Sequence, residues 1–151
     1  MNVKLKNFKC HIDRTFDIPE KGLTLLSGRN GAGKSTLMSA IAYAFYGKLM
    51  GKSRKPYTHG KNTCKVELIY KDIKIIRTSR PNRLLVYEDD KEYEEDIAQE
   101  IINKKINMNF DEFMAGAYIV QRSDVSVISM TPTEQIKFVE TLAFTNNSYK
   151  N

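Results

Sequence analysis

The chain has 151 residues, a length that suits one domain with its own core, and 41% are hydrophobic, which argues against an intrinsically disordered protein. No apolar run approaches the roughly 18 residues of a membrane span, and two cysteines cannot form a disulfide framework. We therefore expect no membrane partner and an intracellular location, cytoplasmic or, in a eukaryote, nuclear. The net charge is +6, with nine Lys and Arg but no acid in residues 21–66, and eight acids but one lysine in residues 88–100. This distribution favours a polyanionic partner, a nucleotide or a nucleic acid, although a surface that balances its own charge is the alternative.

The first third of the chain is predicted to hold a hairpin, a buried strand, a glycine-rich turn and a helix. Residues 3–8 alternate apolar and polar side chains, which indicates a strand, and residues 15–18 are its candidate hairpin partner. Residues 23–27 (LTLLS) form a short, nearly all-apolar run, typical of a strand buried on both faces. After the turn at residues 28–33, apolar side chains recur at helical spacing over residues 34–46, and a glycine follows as a suitable helix end.

The remainder is predicted to hold three short strands and then two or three helices. Residues 48–62 are basic and loop-like, and the strands follow at residues 64–70, 73–78 and 84–87. A helix is expected over residues 94–106, with Ile97, Ile101 and Ile102 on one face. Asn109 suits the N-cap of the next helix, and residues 131–134 (TPTE) suit the capping box of a last helix that ends near Phe144.

The glycine-rich turn between the predicted strand and helix matches in full the phosphate-loop pattern G-x-x-x-x-G-K-[ST], here GRNGAGKS over residues 28–35. Glycines let the backbone bend around a phosphate, and the N-terminus of the following helix adds partial positive charge. Lys34 is expected on the β- and γ-phosphates of ATP, Ser35 on Mg²⁺ and Thr36 on the α-phosphate. A glycine turn that caps an ordinary helix is the alternative. The remaining nucleotide-binding positions in the turn are Asn30, Gly31, Ala32 and Gly33.

The sequence around this loop, LLSGRNGAGKSTLMSAIAYAFYG, resembles the P-loop of ATP-binding-cassette ATPases. It is most similar to the SMC-like DNA-repair ATPases: bacterial SbcC, its Rad-fifty-type counterparts and the phage recombination endonuclease subunit. The opening LKNFKCH resembles that family's first-hairpin motif, AYIVQR its Q-loop segment, and TPTEQIKFVETL the helix that leads to its long coiled coil. The resemblance implies an α/β fold, a P-loop NTPase lobe of ABC-ATPase type with a small antiparallel β subdomain and C-terminal helices. It covers residues 1–145, from P-loop to Q-loop, and leaves 146–151 as a disordered tail or the start of a missing coiled coil.

The resemblance also implies roles for residues outside the P-loop. Lys9 and Cys10 stand where the family's arginine and serine contact the nucleotide, although lysine lacks the bidentate fork and cysteine is a poor donor. Gln121 stands where the family's glutamine ligates Mg²⁺ and orients the attacking water, so it joins Lys34 as an expected catalytic residue close to Ser35; a polar loop residue is the alternative. Thr58 and His59 lie in a loop that runs beside the nucleotide in the family, and a plain surface loop is the competing interpretation.

Two motifs of a complete cassette ATPase are missing from the sequence. The nearest approach to a Walker B strand is LLVYED at residues 84–89, but it precedes Gln121, whereas a Walker B follows the Q-loop. A strand that ends at an acidic turn explains it better, and no LSGGQ-like signature is present. In the family both motifs lie in the C-terminal half, beyond the coiled coil. The chain is therefore expected to be an ATPase that is incomplete by itself.

The function implied by the resemblance is ATP binding by half of a head that acts in double-strand break repair or recombination. ATP would pair two heads and gate a nuclease, so the expected partners are the C-terminal half with its signature and Walker B, a second head, an SbcD-type nuclease subunit and DNA. A basic loop is a candidate DNA contact, with solubility or nucleotide contact as alternatives. Its residues are Lys48, Lys52, Arg54, Lys55 and Lys61.

Three other functions compete with this one. The chain could be the nucleotide-binding lobe of another cassette ATPase, such as a transporter. It could also be a nucleotide-binding module without hydrolysis, which the missing Walker B keeps open. A small P-loop kinase or GTPase is less well supported, because it would need a complete acceptor or base-recognition site, and the N-K-x-D motif is absent.

Overall fold

A computed structural model describes residues 1–50, 55–117 and 131–145 of the protein, except for the side chains of residues 138 and 141–145. The chain divides into two compact units, Met1–Asn107 and Met108–Asn151. Among the described residues, no helix is long and apolar enough to cross a membrane.

The first unit is built on one antiparallel sheet, with its strands in the order β2-β1-β3-β4-β5-β6. The predicted strands at residues 3–8, 64–70, 73–78 and 84–87 are confirmed, and β2, the hairpin partner of the first, begins earlier than expected, at His11. The sheet is larger than the predicted small subdomain, because the first hairpin and a short acidic strand, β6, pair into it. The strands are β1 Asn2–Phe8, β2 His11–Asp17, β3 Cys64–Tyr70, β4 Ile73–Ser79, β5 Arg83–Glu88 and β6 Lys91–Glu94.

Two helices cover one face of this sheet. Helix α1, Lys34–Tyr46, has the predicted bounds and is buried over most of its length, from Leu37 to Phe45. It ends at Gly47, whose φ of 67° suits glycine and whose N–H donates to the Tyr43 carbonyl oxygen. Helix α2, Glu95–Ile106, packs against β5, β6 and α1. Alternate strand residues face these helices and form the core, among them Val3, Leu5, Val66, Leu68, Ile75 and Val86.

The face predicted for α2 is partly wrong. Its buried residues are Ala98 and Ile102, four positions apart, and Ile101 packs partly against the core. Ile97 is 61% exposed instead. The small side chain of Ala98 lets α2 approach the sheet closely. The helix therefore buries the face that carries Ala98 and leaves the bulkier Ile97 in solvent.

The predicted buried strand at residues 23–27 is also wrong. This segment forms no strand, and Leu23 and Leu25 are 100% and 87% exposed. An apolar run becomes a buried strand only where neighbouring strands satisfy its backbone N–H and C=O groups. The six strands of the described sheet pair with one another and none pairs with this segment.

The second unit contains the capped helices that the sequence predicts. Helix α3, Phe110–Glu112, begins at a capping box in which the Asn109 side chain accepts from the N–H groups of Asp111 and Glu112. A π-helical turn, Phe113–Ala117, follows it. Helix α4, Pro132–Thr145, begins after Thr131, whose hydroxyl and N–H both contact the carboxylate of Glu134. Both predicted N-termini are confirmed.

Candidate nucleotide-binding site

The glycine-rich turn forms an exposed loop at the N-terminus of α1. Gly28, Gly31 and Gly33 have φ values of 156°, 82° and 89°, a region that favours glycine. The loop is closed by a hydrogen bond from the Ala32 N–H to the Arg29 carbonyl oxygen at 3.1 Å. The helix begins with no side-chain cap and no acidic residue in its first turn. Its first N–H groups and its dipole therefore face an opening suited to an anion.

Lys34 lies along this loop. Its ammonium donates to the carbonyl oxygens of Gly28 at 2.7 Å and Arg29 at 3.0 Å. In the part of the chain that the structure describes, no carboxylate forms an ion pair with it. A partly exposed ammonium with neutral partners at a helix N-terminus can exchange them for phosphate oxygens, which bind it more strongly.

The turn between β1 and β2 brings Lys9 and Cys10 beside the first turns of α1. The Lys9 ammonium donates to the Ser39 hydroxyl at 3.1 Å, and burial lowers the pKa of Lys9, an effect that Cys10 opposes. The Cys10 sulfur lies 3.4 Å from the Thr36 hydroxyl oxygen. Both side chains therefore touch the first two turns of α1, next to the P-loop, and their contact with a nucleotide stays a prediction.

His11 makes a contact with the P-loop that the sequence did not indicate. Its Nε2 lies 3.3 Å from the Gly33 carbonyl oxygen, and a Cβ built on Gly33 would lie 2.5 Å from two ring atoms. The ring is 7% exposed and packs edge-on against Phe16, with centroids 5.4 Å apart. The His11 ring thus packs against the last glycine of the P-loop.

The loop after α1 is tied to the same hairpin. The Lys9 N–H donates to the Pro56 carbonyl oxygen at 2.8 Å, and the Thr58 N–H donates to the Asn7 carbonyl oxygen at 2.9 Å. The Thr58 hydroxyl also donates to the His11 carbonyl oxygen at 3.4 Å. Thr58 therefore contacts the first hairpin, which packs against the P-loop, and does not contact the glycine turn itself.

His59 is exposed and is not brought to the P-loop. It lines a cavity of about 570 Å³ whose described lining, residues 55 and 57–62 with Arg80, includes none of residues 28–36. Three positions of the basic loop, Lys48, Lys55 and Lys61, are exposed. Lys52, Arg54 and Gln121 lie outside the described residues, and so does the predicted approach of Gln121 to Ser35.

The hydrophobic run at residues 84–89 forms one strand of a hairpin, as its alternative interpretation predicted. Leu84 and Val86 are buried on the core side of β5, which pairs antiparallel with β4 and β6. Glu88 ends the strand and forms an ion pair with Lys105 at 2.6 Å. The Glu88 carboxylate therefore has a structural partner in α2.

The AAA domain family model matches residues 2–150 of the chain. A protein of Invertebrate iridescent virus 6, uncharacterized protein 050L, is 33% identical over 95% of this chain and 12% of its own length. The DNA double-strand break repair Rad50 ATPase of Methanocaldococcus jannaschii is 28% identical over 93% of this chain and 15% of its own length. The chain therefore spans less than a fifth of the length of these relatives.

A solved structure of the recombination mediator protein RecF with ATP has the same fold. It superimposes with a TM-score of 0.58 over 98% of this chain and 39% of its own, at 17% identity. The α/β fold of a P-loop ATPase lobe is thus confirmed. The chain belongs to the AAA domain family and is similar to the N-terminal portion of SMC-like, Rad50-type ABC ATPases, as its motifs implied.

Proposed function

We propose that this chain is the ATP-binding N-terminal half of an SMC-like ATPase head that acts in DNA double-strand break repair or recombination. One observation carries the proposal: a complete P-loop lies at an uncapped helix N-terminus, and its lysine has only neutral partners among the described residues. Relatives named as DNA double-strand break repair ATPases supply the context. The head lobe comprises residues 1–145, and residues 146–151 begin a coiled coil or a tail.

The residues of the loop fit ATP and Mg²⁺. Lys34 and the N–H groups of residues 30–36 would hold the β- and γ-phosphates, and Thr36 the α-phosphate. The exposed hydroxyl of Ser35 would hold Mg²⁺, which neutralises phosphate charge when bound. Lys9 and Cys10 would contact the nucleotide from the hairpin, with Thr58 and His59 on the flanking loop. Gln121 is proposed as a second Mg²⁺ ligand that orients water.

The exposed apolar segment before the loop supports a protein partner. Leu23 and Leu25 are almost fully exposed, and Leu26 is 39% exposed. Burial of one leucine contributes about 1.5–3 kcal/mol, so three exposed leucines within four residues favour a complementary strand. We assign that strand to the C-terminal half of the head, which would also bring the signature and the Walker B carboxylate.

The remaining parts of the proposal follow from this incomplete site. Without a carboxylate to polarise water and a signature to cover the γ-phosphate, this chain would bind ATP but hardly hydrolyse it. With its C-terminal half it would form a complete head, pair with a second head when ATP binds, and gate an SbcD-type nuclease subunit on DNA. An intracellular location is part of this proposal.

Steady-state phosphate release tests the proposal. Residues 1–151 with Mg²⁺ and ATP should turn over orders of magnitude more slowly than about 1 s⁻¹, and addition of the matching C-terminal half should restore activity. Lys34→Ala in the same mixture is the control and should remain inactive. Turnover near 1 s⁻¹ from the isolated chain would contradict the proposal and would require an acid such as Glu88 or Asp89 to be catalytic. ATP binding without turnover in the mixture would favour the non-hydrolysing module instead.

A further inference from the structure

The face of the sheet opposite α1 carries a groove of about 530 Å³, here called the outer groove. Strand alternation points the core residues toward the helices, so their neighbours line this opposite face. The charged residues in the groove lining are all basic: Lys6, Lys65, Arg80 and Arg83. Within the described residues, no Asp or Glu lines it. The groove therefore presents a positive surface that is separate from the P-loop.

Three of these basic residues form a row across the strands. In the strand register Lys6 pairs with Lys65, Lys65 pairs with Thr78, and Thr78 pairs with Arg83. Three steps between neighbouring strands, at about 4.8 Å each, give the row a length of about 14 Å. Like charges directly opposite on neighbouring strands destabilise a sheet, so Lys6 beside Lys65 is not explained by sheet stability.

The row is only partly neutralised by acids at its border. Lys65 forms an ion pair with Glu67 at 2.8 Å, and Arg83 forms one with Glu94 at 2.5 Å. Lys6 and Arg80 form no ion pair among the residues that the structure describes. Exposed ion pairs of this kind contribute at most about 1 kcal/mol, so an incoming phosphate can displace the carboxylates.

Next to the basic row, the groove is apolar and aromatic. Ile76 and Leu85 form its middle, directly opposite each other on β4 and β5. Tyr87 stands two residues farther along β5 and is half-buried. The Lys74 ammonium lies over the ring of Tyr87, 6.0 Å from its centroid. Because the Lys74 side chain is 45% exposed, this face of the ring is reached from the sheet surface, and a base can stack there in place of the ammonium.

We propose that the outer groove binds single-stranded nucleic acid, with phosphates on the Lys6, Lys65 and Arg83 row and a base stacked on Tyr87. Basic residues interleaved with an aromatic side chain on an antiparallel sheet are the chemistry by which proteins hold unpaired strands. A duplex would present only phosphates and would leave Tyr87 and the apolar middle without a partner. The inference adds a surface to the proposed function and does not use the nucleotide site.

Fluorescence anisotropy of a labelled oligothymidylate, about 15 nucleotides long, tests this assignment. Lys6→Gln with Lys65→Gln should weaken binding at about 50 mM salt at least tenfold, and should reduce the slope of log K against log salt by about 1.4. The control, Lys91→Gln with Lys104→Gln, removes the same charge from exposed positions elsewhere. It should leave the affinity and the salt slope nearly unchanged. Unchanged thermal unfolding of both double variants shows that each is folded.

Substitution of Tyr87 provides a second, independent test of the groove. Tyr87→Ala should weaken binding about 5- to 150-fold, whereas Tyr87→Phe, which keeps the ring, should stay within about twofold. The inference is overturned if Tyr87→Ala binds like the wild type, if the two double variants lose affinity equally, or if a matched duplex binds as tightly as the single strand. Tighter binding of a polyglutamate peptide would assign the groove to an acidic protein instead. Lys34→Ala should bind the oligonucleotide normally, so failure of the nucleotide site is distinguishable from failure of the groove.

Discussion

The imidazole of His11 packs directly on Gly33, the last glycine of the P-loop, with Nε2 3.3 Å from the Gly33 carbonyl oxygen. A Cβ at this glycine would lie 2.5 Å from the ring, a distance that real contacts do not reach. The first hairpin therefore supports the phosphate loop from one side, and the Thr58 hydroxyl in turn contacts the His11 backbone. The shape of the loop depends on residues that are more than twenty positions away in sequence.

Gly33→Ala should accordingly lose both stability and ATP binding. The matched control is Gly60→Ala, because Gly60 has a similar φ of 76° but nothing within 4 Å of its added Cβ. Both variants lose the freedom of glycine at positive φ, at roughly 1–2 kcal/mol, and only Gly33→Ala adds the clash with His11. Urea unfolding should show the larger loss for Gly33→Ala. Equal losses would mean that the ring moves away without cost.

The two cysteines should differ sharply toward N-ethylmaleimide. Cys10 is exposed and lies beside Thr36, whereas Cys64 is buried, and burial raises the pKa of its thiol to about 11. Only the thiolate reacts, so Cys64 should stay unmodified until the protein unfolds. ATP with Mg²⁺ at about ten times its Kd should slow Cys10 modification roughly tenfold. Mass spectrometry of the time course measures the modification rate of each cysteine. If saturating nucleotide does not slow the modification of Cys10, Cys10 is not part of the nucleotide site.

Arg77 should be a stability residue rather than a site residue. Its buried guanidinium donates to the carbonyl oxygens of Ala44 at 3.2 Å and Phe45 at 3.4 Å, and to the Gln99 side chain at 2.7 Å. It thereby joins α1 and α2 to β4. Arg77→Met leaves these acceptors without their charged donor and should cost about 2–4 kcal/mol. Arg14→Met on an exposed edge strand is the control and should change unfolding in urea by less than about 0.5 kcal/mol. Similar midpoints of urea unfolding for Arg77→Met and Arg14→Met would contradict this role.

Stability should fall as the pH rises from about 9 to about 11. Burial raises the pKa of Cys64 from its ordinary value of 9.0 to about 11, and burial also raises the pKa of Tyr43, close to Arg77. The unfolded state therefore loses these protons first, so the stabilisation is complete below pH 9 and is lost toward pH 11. Cys64→Ala should have a shallower loss of unfolding free energy over this interval. A slope identical to that of the wild type would show that Cys64 does not contribute.

Local patterns predicted the elements that have partners within this chain. Helix α1 and strand β3 have the expected bounds, because their apolar spacing matches the side that the core buries. Strand β6 was missed because its sequence, KEYE, is almost entirely charged and gains its place only by pairing with β5. The run at residues 23–27 was misassigned because hydrophobicity indicates a need for burial and cannot show whether a partner strand is present.

The site was predictable to a similar extent. The P-loop follows from its motif, and the family resemblance indicated Lys9 and Cys10, which contact α1 beside it; their contact with a nucleotide stays a prediction. The contact of His11 with Gly33 was not predictable, because it depends on how the first hairpin packs across α1 over 22 residues of separation. The outer groove was equally hidden, since Lys6, Lys65 and Arg83 come together only through the strand register.

Isothermal titration of residues 1–151 with ATP and Mg²⁺ tests the nucleotide-binding function most directly. Wild-type protein should bind one ATP, and Lys34→Ala should bind about 10- to 150-fold more weakly, because each charge-assisted bond to phosphate contributes about 1.5–3 kcal/mol. Lys104→Ala, at an exposed lysine on α2, is the control and should bind like the wild type. Equal affinity of Lys34→Ala and wild-type protein, with both folded, would contradict a phosphate-binding role for this loop.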